Sequence, residues 1–290
     1  MRVAIHDSEK SSGYPNLALM KISAWHKAQG DVVEWFNPLF GPFDKVYSSK
    51  VFTWTPKDTY LPSDAIIGGT GHDICAKLSD EVEHICPDYS LYGCKESYGF
   101  LVRGCLRRCA ECFVPEKEGS IRPHADIEEF AKHKDVVLMD NNVLACDHGI
   151  TQIEKIVKLG LRVDFNQGLD ARLIDDSITK LLSKVKWLNP VRLACDSQAM
   201  IEPVRKAVES MRWHNVTPRR YFCYVLVKDV DEAKDRVRFL KGIDVDAYAQ
   251  PYRDKIGTEP TQEQKNFARW VDHKAEYKSR TWEEYSRSRA

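Results

Sequence analysis

Three cysteines, Cys105, Cys109 and Cys112, fall on one short segment that runs Gly99-Phe-Leu-Val-Arg-Gly-Cys105-Leu-Arg-Arg-Cys109-Ala-Glu-Cys112-Phe-Val-Pro. With C-x3-C-x2-C spacing, each thiolate can bind a different iron of a [4Fe-4S] cubane, leaving the fourth iron without a protein ligand. A small molecule carrying an amine and a carboxylate can chelate that open iron. Arg103, Arg107 and Arg108 add positive charge that favours the thiolate forms and offsets an anionic cluster. The competing chemistry is a structural zinc site of three cysteines and a histidine, the staple of a binding module. Zinc motifs usually come as two separated C-x2-C pairs, and no second pair follows here.

The rest of the chain limits where such a site can sit. Its 290 residues suffice for two modest domains or one large α/β unit. A hydrophobic fraction of 43% with 30% charged residues is that of an ordinary globular protein. The longest apolar runs are too short to span a bilayer. The opening Met-Arg-Val-Ala-Ile-His-Asp reads as a strand and not as a secretory leader, so a cytoplasmic location with no membrane partner is expected. Lys plus Arg and Asp plus Glu number 43 each, so there is no strong nucleic-acid signal in the global charge. Nine cysteines in that compartment do not indicate a disulfide framework. Cys75, Cys86, Cys94, Cys146, Cys195 and Cys223 are scattered singly and are expected to be small buried hydrophobes.

Periodicity supplies the elements that must position the loop. Strands are expected at 2–5, 32–36, 45–52 and 65–67, with a helix at 17–29 closed by Gly30. Strand–helix–strand order, with Gly68-Gly69-Thr70-Gly71 after the last strand, indicates a small Rossmann-like parallel α/β unit over 1–94. The glycines read as a tight turn, because the full dinucleotide fingerprint is absent. A linker is expected at 87–93. Beyond it, strands at 98–102, 136–139, 162–165, 192–194, 221–227 and 246–249 alternate with helices at 127–132, 150–159, 175–185, 200–211 and 230–240. Six such units over 95–254 suggest a partial (β/α)6 barrel, since a closed barrel needs eight. The polar tail 255–290, with Phe267, Trp270, Trp282 and Tyr285 spaced along it, reads as one or two amphipathic helices packed on that barrel.

The cysteine spacing just after the first strand of the second unit resembles the signature of the radical S-adenosylmethionine (SAM) superfamily. The flanking residues Gly68-Gly69, Pro87-Asp88-Tyr89, Gly99-Phe100, Arg103-Gly104-Cys105 and 115–119 look like its cobalamin-binding-type and methylthiotransferase-like branch. The resemblance covers roughly 60–250 and is specific at the cysteine loop. It implies a [4Fe-4S] cluster on Cys105, Cys109 and Cys112 and SAM as cofactor on the open iron. It further implies reductive cleavage to a 5′-deoxyadenosyl radical, with an electron donor such as flavodoxin or ferredoxin as partner. The residue before the third cysteine is usually aromatic in the superfamily and shields the adenine. Here it is Glu111, so either Phe113 takes that part or adenine recognition differs.

The remaining candidates gather at strand C-terminal ends, where barrel sites lie. Asp140, Asn141 and Asn142 occupy the place that receives the SAM amino group in the superfamily, although caps or turns explain the two asparagines as well. Asn166, Gln167, Asp170 and Arg172 follow the third strand, and Asp196 and Ser197 the fourth. Arg172 or Arg253 suits a SAM carboxylate or an acidic substrate, or else a surface salt bridge. The first-strand loop, Ile5-His6-Asp7-Ser8-Glu9, lacks the Asp-x-His-x-x-Gly of a cobalamin ligand, so no cobalamin is expected. The substrate, a small molecule or a nucleotide, stays unidentified. Methylthiolation of an RNA base is the alternative, against which the missing second cysteine set speaks.

Overall fold

A computed structural model describes residues 1–217, 220–254 and 256–287, and the fold is mixed α/β with parallel sheets. Residues 255 and 288–290 of the expected tail lie outside the described residues. In the first sheet β1 (Arg2–Asp7), β2 (Val32–Trp35), β3 (Lys45–Ser49) and β4 (Ile66–Gly68) are all parallel and ordered β2-β1-β3-β4. Val3, Ala4 and Ile5 are fully buried, as a central parallel strand requires. The connecting helix Leu17–Ala28 starts where the Asn16 side chain accepts from Leu19 N at 3.3 Å, satisfying one of its open amides.

The second set of strands forms two ladders. One runs β10-β9-β8-β5, from β5 (Ser97–Gly99), β8 (Asp135–Leu138), β9 (Arg162–Phe165) and β10 (Lys186–Trp187). The other runs β11 (Val191–Ala194), β12 (Tyr221–Val227) and β13 (Asp246–Pro251). Every pairing in both ladders is parallel. The ladders adjoin where Leu169 N donates to Arg192 O at 2.8 Å. Along β12, Tyr221, Cys223, Val225 and Val227 are buried, while Phe222, Tyr224 and Leu226 alternate onto the other, half-buried face. The buried face is covered by the helices Ile201–Trp213 and Val230–Gly242, whose Val204, Val208, Val237 and Leu240 join one apolar core. Buried Arg236 donates to Cys195 O and Leu226 O and so ties the C-terminal ends of β11 and β12 together.

The structure departs from the sequence expectation in several places. The strand expected at 98–102 is split into β5 and β6 (Val102–Arg103), because Asp140 Oδ1 takes the amides of Leu101 at 2.8 Å and Val102 at 2.6 Å out of any ladder. Freed in this way, β6 pairs antiparallel with β7 (Arg122–Pro123). The linker expected at 87–93 is pinned at its start and again at Tyr92, whose hydroxyl donates to Asp7 Oδ2 at 2.6 Å. Asp88 accepts from Ser23 and Lys27, and buried Tyr89 donates to Phe130 O at 2.7 Å. Of the six scattered cysteines only Cys195 and Cys223 are buried; Cys86, Cys94 and Cys146 are half-buried, and Cys75, in a turn-rich stretch, is exposed. Among the described residues the tail holds three helices and not the one or two expected: Gln262–Asp272, Lys274–Ser279 and Trp282–Arg287. Phe267, Trp270, Trp282 and Tyr285 pack into the main core. Among the described residues no helix is long and apolar enough to cross a membrane.

Candidate metal and cofactor site

The cysteine loop springs from the β6–β7 hairpin and ends in the short helix Val114–Lys117. Gly104 opens it with φ +81°, and a Cβ there would stand 2.3 Å from Ser120 O, so only glycine fits. Glu118 fastens the base. One oxygen accepts from Gly104 N at 2.9 Å and Asn141 Nδ2 at 3.0 Å; the other pairs with Arg103 at 3.1 Å. Cys105 Sγ accepts Arg107 N at 3.3 Å and Asn142 Nδ2 at 3.6 Å, and Cys112 Sγ accepts Val114 N at 3.4 Å. N–H groups aimed at sulfur make the hydrogen bonds that a metal-bound sulfur accepts. Cys109 is exposed near the tip, and its carbonyl accepts from Cys112 N.

Gly104→Ala is expected to cost at least 1–2 kcal/mol, roughly the price of the left-handed backbone alone. Its thermal midpoint should fall by several degrees. A variant that melts like the parent would show that the loop has another way to turn.

Beside the cysteines lies the C-terminal end of β8. Asp140 and Asn142 are buried there, at 4% and 3% exposure. Asp140 Oδ1 holds the Leu101 and Val102 amides, yet Oδ2 has no hydrogen-bond partner among the described residues. Burial pushes the Asp140 carboxyl up to about 7, against the pull of those amides. Asn142 directs its amide nitrogen to Cys105 Sγ and, at 3.3 Å, to Asp170, while its Oδ1 is likewise without a donor. Asp170 collects Arg107 Nε at 3.0 Å and Arg172 Nε at 2.7 Å. Burial alone would raise the Asp170 carboxyl, but the bonds from Arg172 and Arg107 outweigh it and hold it below the usual carboxylate range. Two guanidinium groups are thus kept beside the thiols by one carboxylate.

The other candidates divide. Asn166 faces β11, where its Oδ1 accepts from Arg192 at 3.3 Å, and Gln167 is exposed. Asp196 is exposed at the end of β11 and accepts from Leu226 N, and Ser197 is half-buried beside it. Phe113 is 44% exposed at the end of the cysteine loop. Glu111 turns to Lys228 at 3.0 Å, tying the loop to the end of β12. Arg253 pairs with Glu259 and lies 4.8 Å over the Trp54 ring. Among the described residues no three His, Cys, Asp or Glu side chains close on a single metal position. Sequence reasoning missed Glu118 as the fastening of the loop. It also missed the Asp164–Arg192 pair, whose only signal was a charge inside each of two apolar strands. No protein-family model and no curated protein matches the chain.

Proposed function

We propose that this chain is a radical SAM enzyme in which Cys105, Cys109 and Cys112 hold a [4Fe-4S] cluster and SAM occupies the open iron. The observation that carries this reading is the pair of buried, donorless oxygens, Asp140 Oδ2 and Asn142 Oδ1, next to a loop of three thiols. Two acceptors without donors suit the ammonium of an amino-acid cofactor. The N–H groups directed at Cys105 and Cys112 suit cluster thiolates. Arg107 and Arg172 offset the negative charge that the thiolates bring. Bound there, the cluster would pass one electron, taken from a donor of flavodoxin or ferredoxin type, to SAM, which would part into methionine and a 5′-deoxyadenosyl radical. Asp140 and Asn142 orient the cofactor's amino group, and Phe113 or the end of β12 covers its adenine.

The two ladders, without the two-residue strand β10, form on this reading one partial (β/α)6 barrel over 95–254, open between β5 and β13. On this reading 1–94 is the Rossmann-like unit and the residues beyond 254 are the tail packed on the barrel. The bond from Leu169 to Arg192 and the side-chain pair Asp164–Arg192 support joining the ladders. The test is turnover. Anaerobically reconstituted protein given SAM and dithionite is expected to release 5′-deoxyadenosine, measured by liquid chromatography. Iron-loaded protein that leaves SAM intact over many hours refutes the reading.

A further inference from the structure

Between the ladders, on the side where 14–15 of the first unit cover them, lies a cleft of about 310 Å3. Tyr98 from β5 and Tyr14 offer aromatic surface to it, with Val137 and Met139 beside them. Its polar residues are unusual for the inside of parallel strands. Asp164, 3% exposed, receives Arg192 and Asn189 at 2.8 Å each on Oδ2, while Oδ1 has no partner among the described residues. Arg192 is held in place, donating also to Tyr224 OH at 2.9 Å and to Asn166 Oδ1. Those bonds use three of its five N–H groups. A spare carboxylate oxygen therefore stands beside spare guanidinium donors, fixed relative to one another by their own ion pair. A buried acceptor without a donor is costly, and a ligand that supplies the donor removes that cost.

We infer that this cleft binds a nucleobase-type heterocycle by an edge that carries an N–H next to an acceptor, the N–H donated to Asp164 Oδ1 and the acceptor facing Arg192. The flat, apolar faces of such a ring match Tyr14 and Tyr98. Asp164 and Glu96 together outnumber Arg192, so the interior disfavours a phosphate, and the ligand enters as a neutral base or nucleoside. The volume suits a single nucleoside and nothing much larger. As a substrate site the cleft rests on the radical chemistry proposed above; as a binding site it does not, because none of its residues touches the cysteine loop's thiols in the contacts above.

The experiment is calorimetric titration of the full-length chain with adenosine, guanosine, cytidine and uridine, then with the analogue of the binder whose edge N–H is replaced by N–CH3. At least one nucleoside is expected to saturate the protein, and its methylated analogue to bind roughly tenfold more weakly or worse, because the buried Oδ1 of Asp164 is then left without a donor. Asp164→Asn should weaken the binder to a similar degree. Its amide oxygen stays on Arg192 and Asn189, which turns a donor toward the ligand's donor. Binding is further expected to survive saturating SAM in the reconstituted protein. Failure of all four nucleosides to saturate, or equal affinity for the methylated analogue, overturns the inference. Displacement by SAM would also overturn it, making the cleft the cofactor's own adenine pocket. Titration of the protein without iron separates these outcomes from any failure of the cluster assignment.

Discussion

Replacing Cys109 with alanine is expected to abolish both iron loading and SAM cleavage. The parent chain, reconstituted without oxygen, should carry about four irons and four sulfides, as a cubane does. Cys109 is the most exposed of the three thiols, so its loss leaves no cavity and should not disturb folding. Circular dichroism and the thermal midpoint should therefore match the parent while bound iron falls to background. The contrast between an intact fold and an empty loop is what identifies a ligand. A Cys109→Ala protein that retains most of its iron would place the metal elsewhere. A parent that holds one tight zinc with no iron-dependent absorbance would end the cluster assignment altogether.

The second large effect is expected from Asp140→Asn, and it has two parts. The asparagine oxygen can keep the Leu101 and Val102 amides, so the loop and its iron content should be retained. Its nitrogen then occupies the position of the donorless Oδ2 and would turn a donor toward the ammonium of the proposed cofactor. SAM affinity is expected to drop about tenfold or more, since a charge-assisted bond is replaced by a repulsive contact. Calorimetry at unchanged iron content reads this directly, and equal affinity would move the amino-group site elsewhere on the rim.

The other part is stability. The folded-state carboxyl, raised by burial to about 7, lies above its unfolded value of 3.8. Between those values the folded chain holds a proton that the unfolded chain has lost, so folding becomes less favourable as pH rises from about 4 to about 7. Above that window the parent bears the whole cost of an ionised buried group, on the order of 4 kcal/mol from the two values. Asp140→Asn has no such charge. Without cofactor it should be more stable than the parent at pH 8, with the advantage fading toward pH 4. Denaturant titrations at the two pH values check this. An advantage of the same size at both would mean that the carboxyl is not titrating in the folded chain.

The sequence by itself determined the order and type of the principal elements and the position of the thiols. Both are local properties. The strands at Arg162–Phe165 and Tyr221–Val227 fall at the residues expected from apolar runs bounded by turns and helices. Three cysteines on one loop need no fold to be seen as a donor set. Tertiary structure decided what the polar side chains do, because their partners lie far away in the chain. Asp140 breaks the strand expected at 98–102 only because parallel pairing of β5 with β8 brings it under Leu101 and Val102. Its burial, and hence its raised carboxyl, exists only in the assembled chain. The same holds for Arg192, which reads as a stray charge in a strand until the packing of β9 against β11 sets it on Asp164. Apolar periodicity is written residue by residue, whereas the pairing of a buried charge depends on which strands lie side by side and in which register.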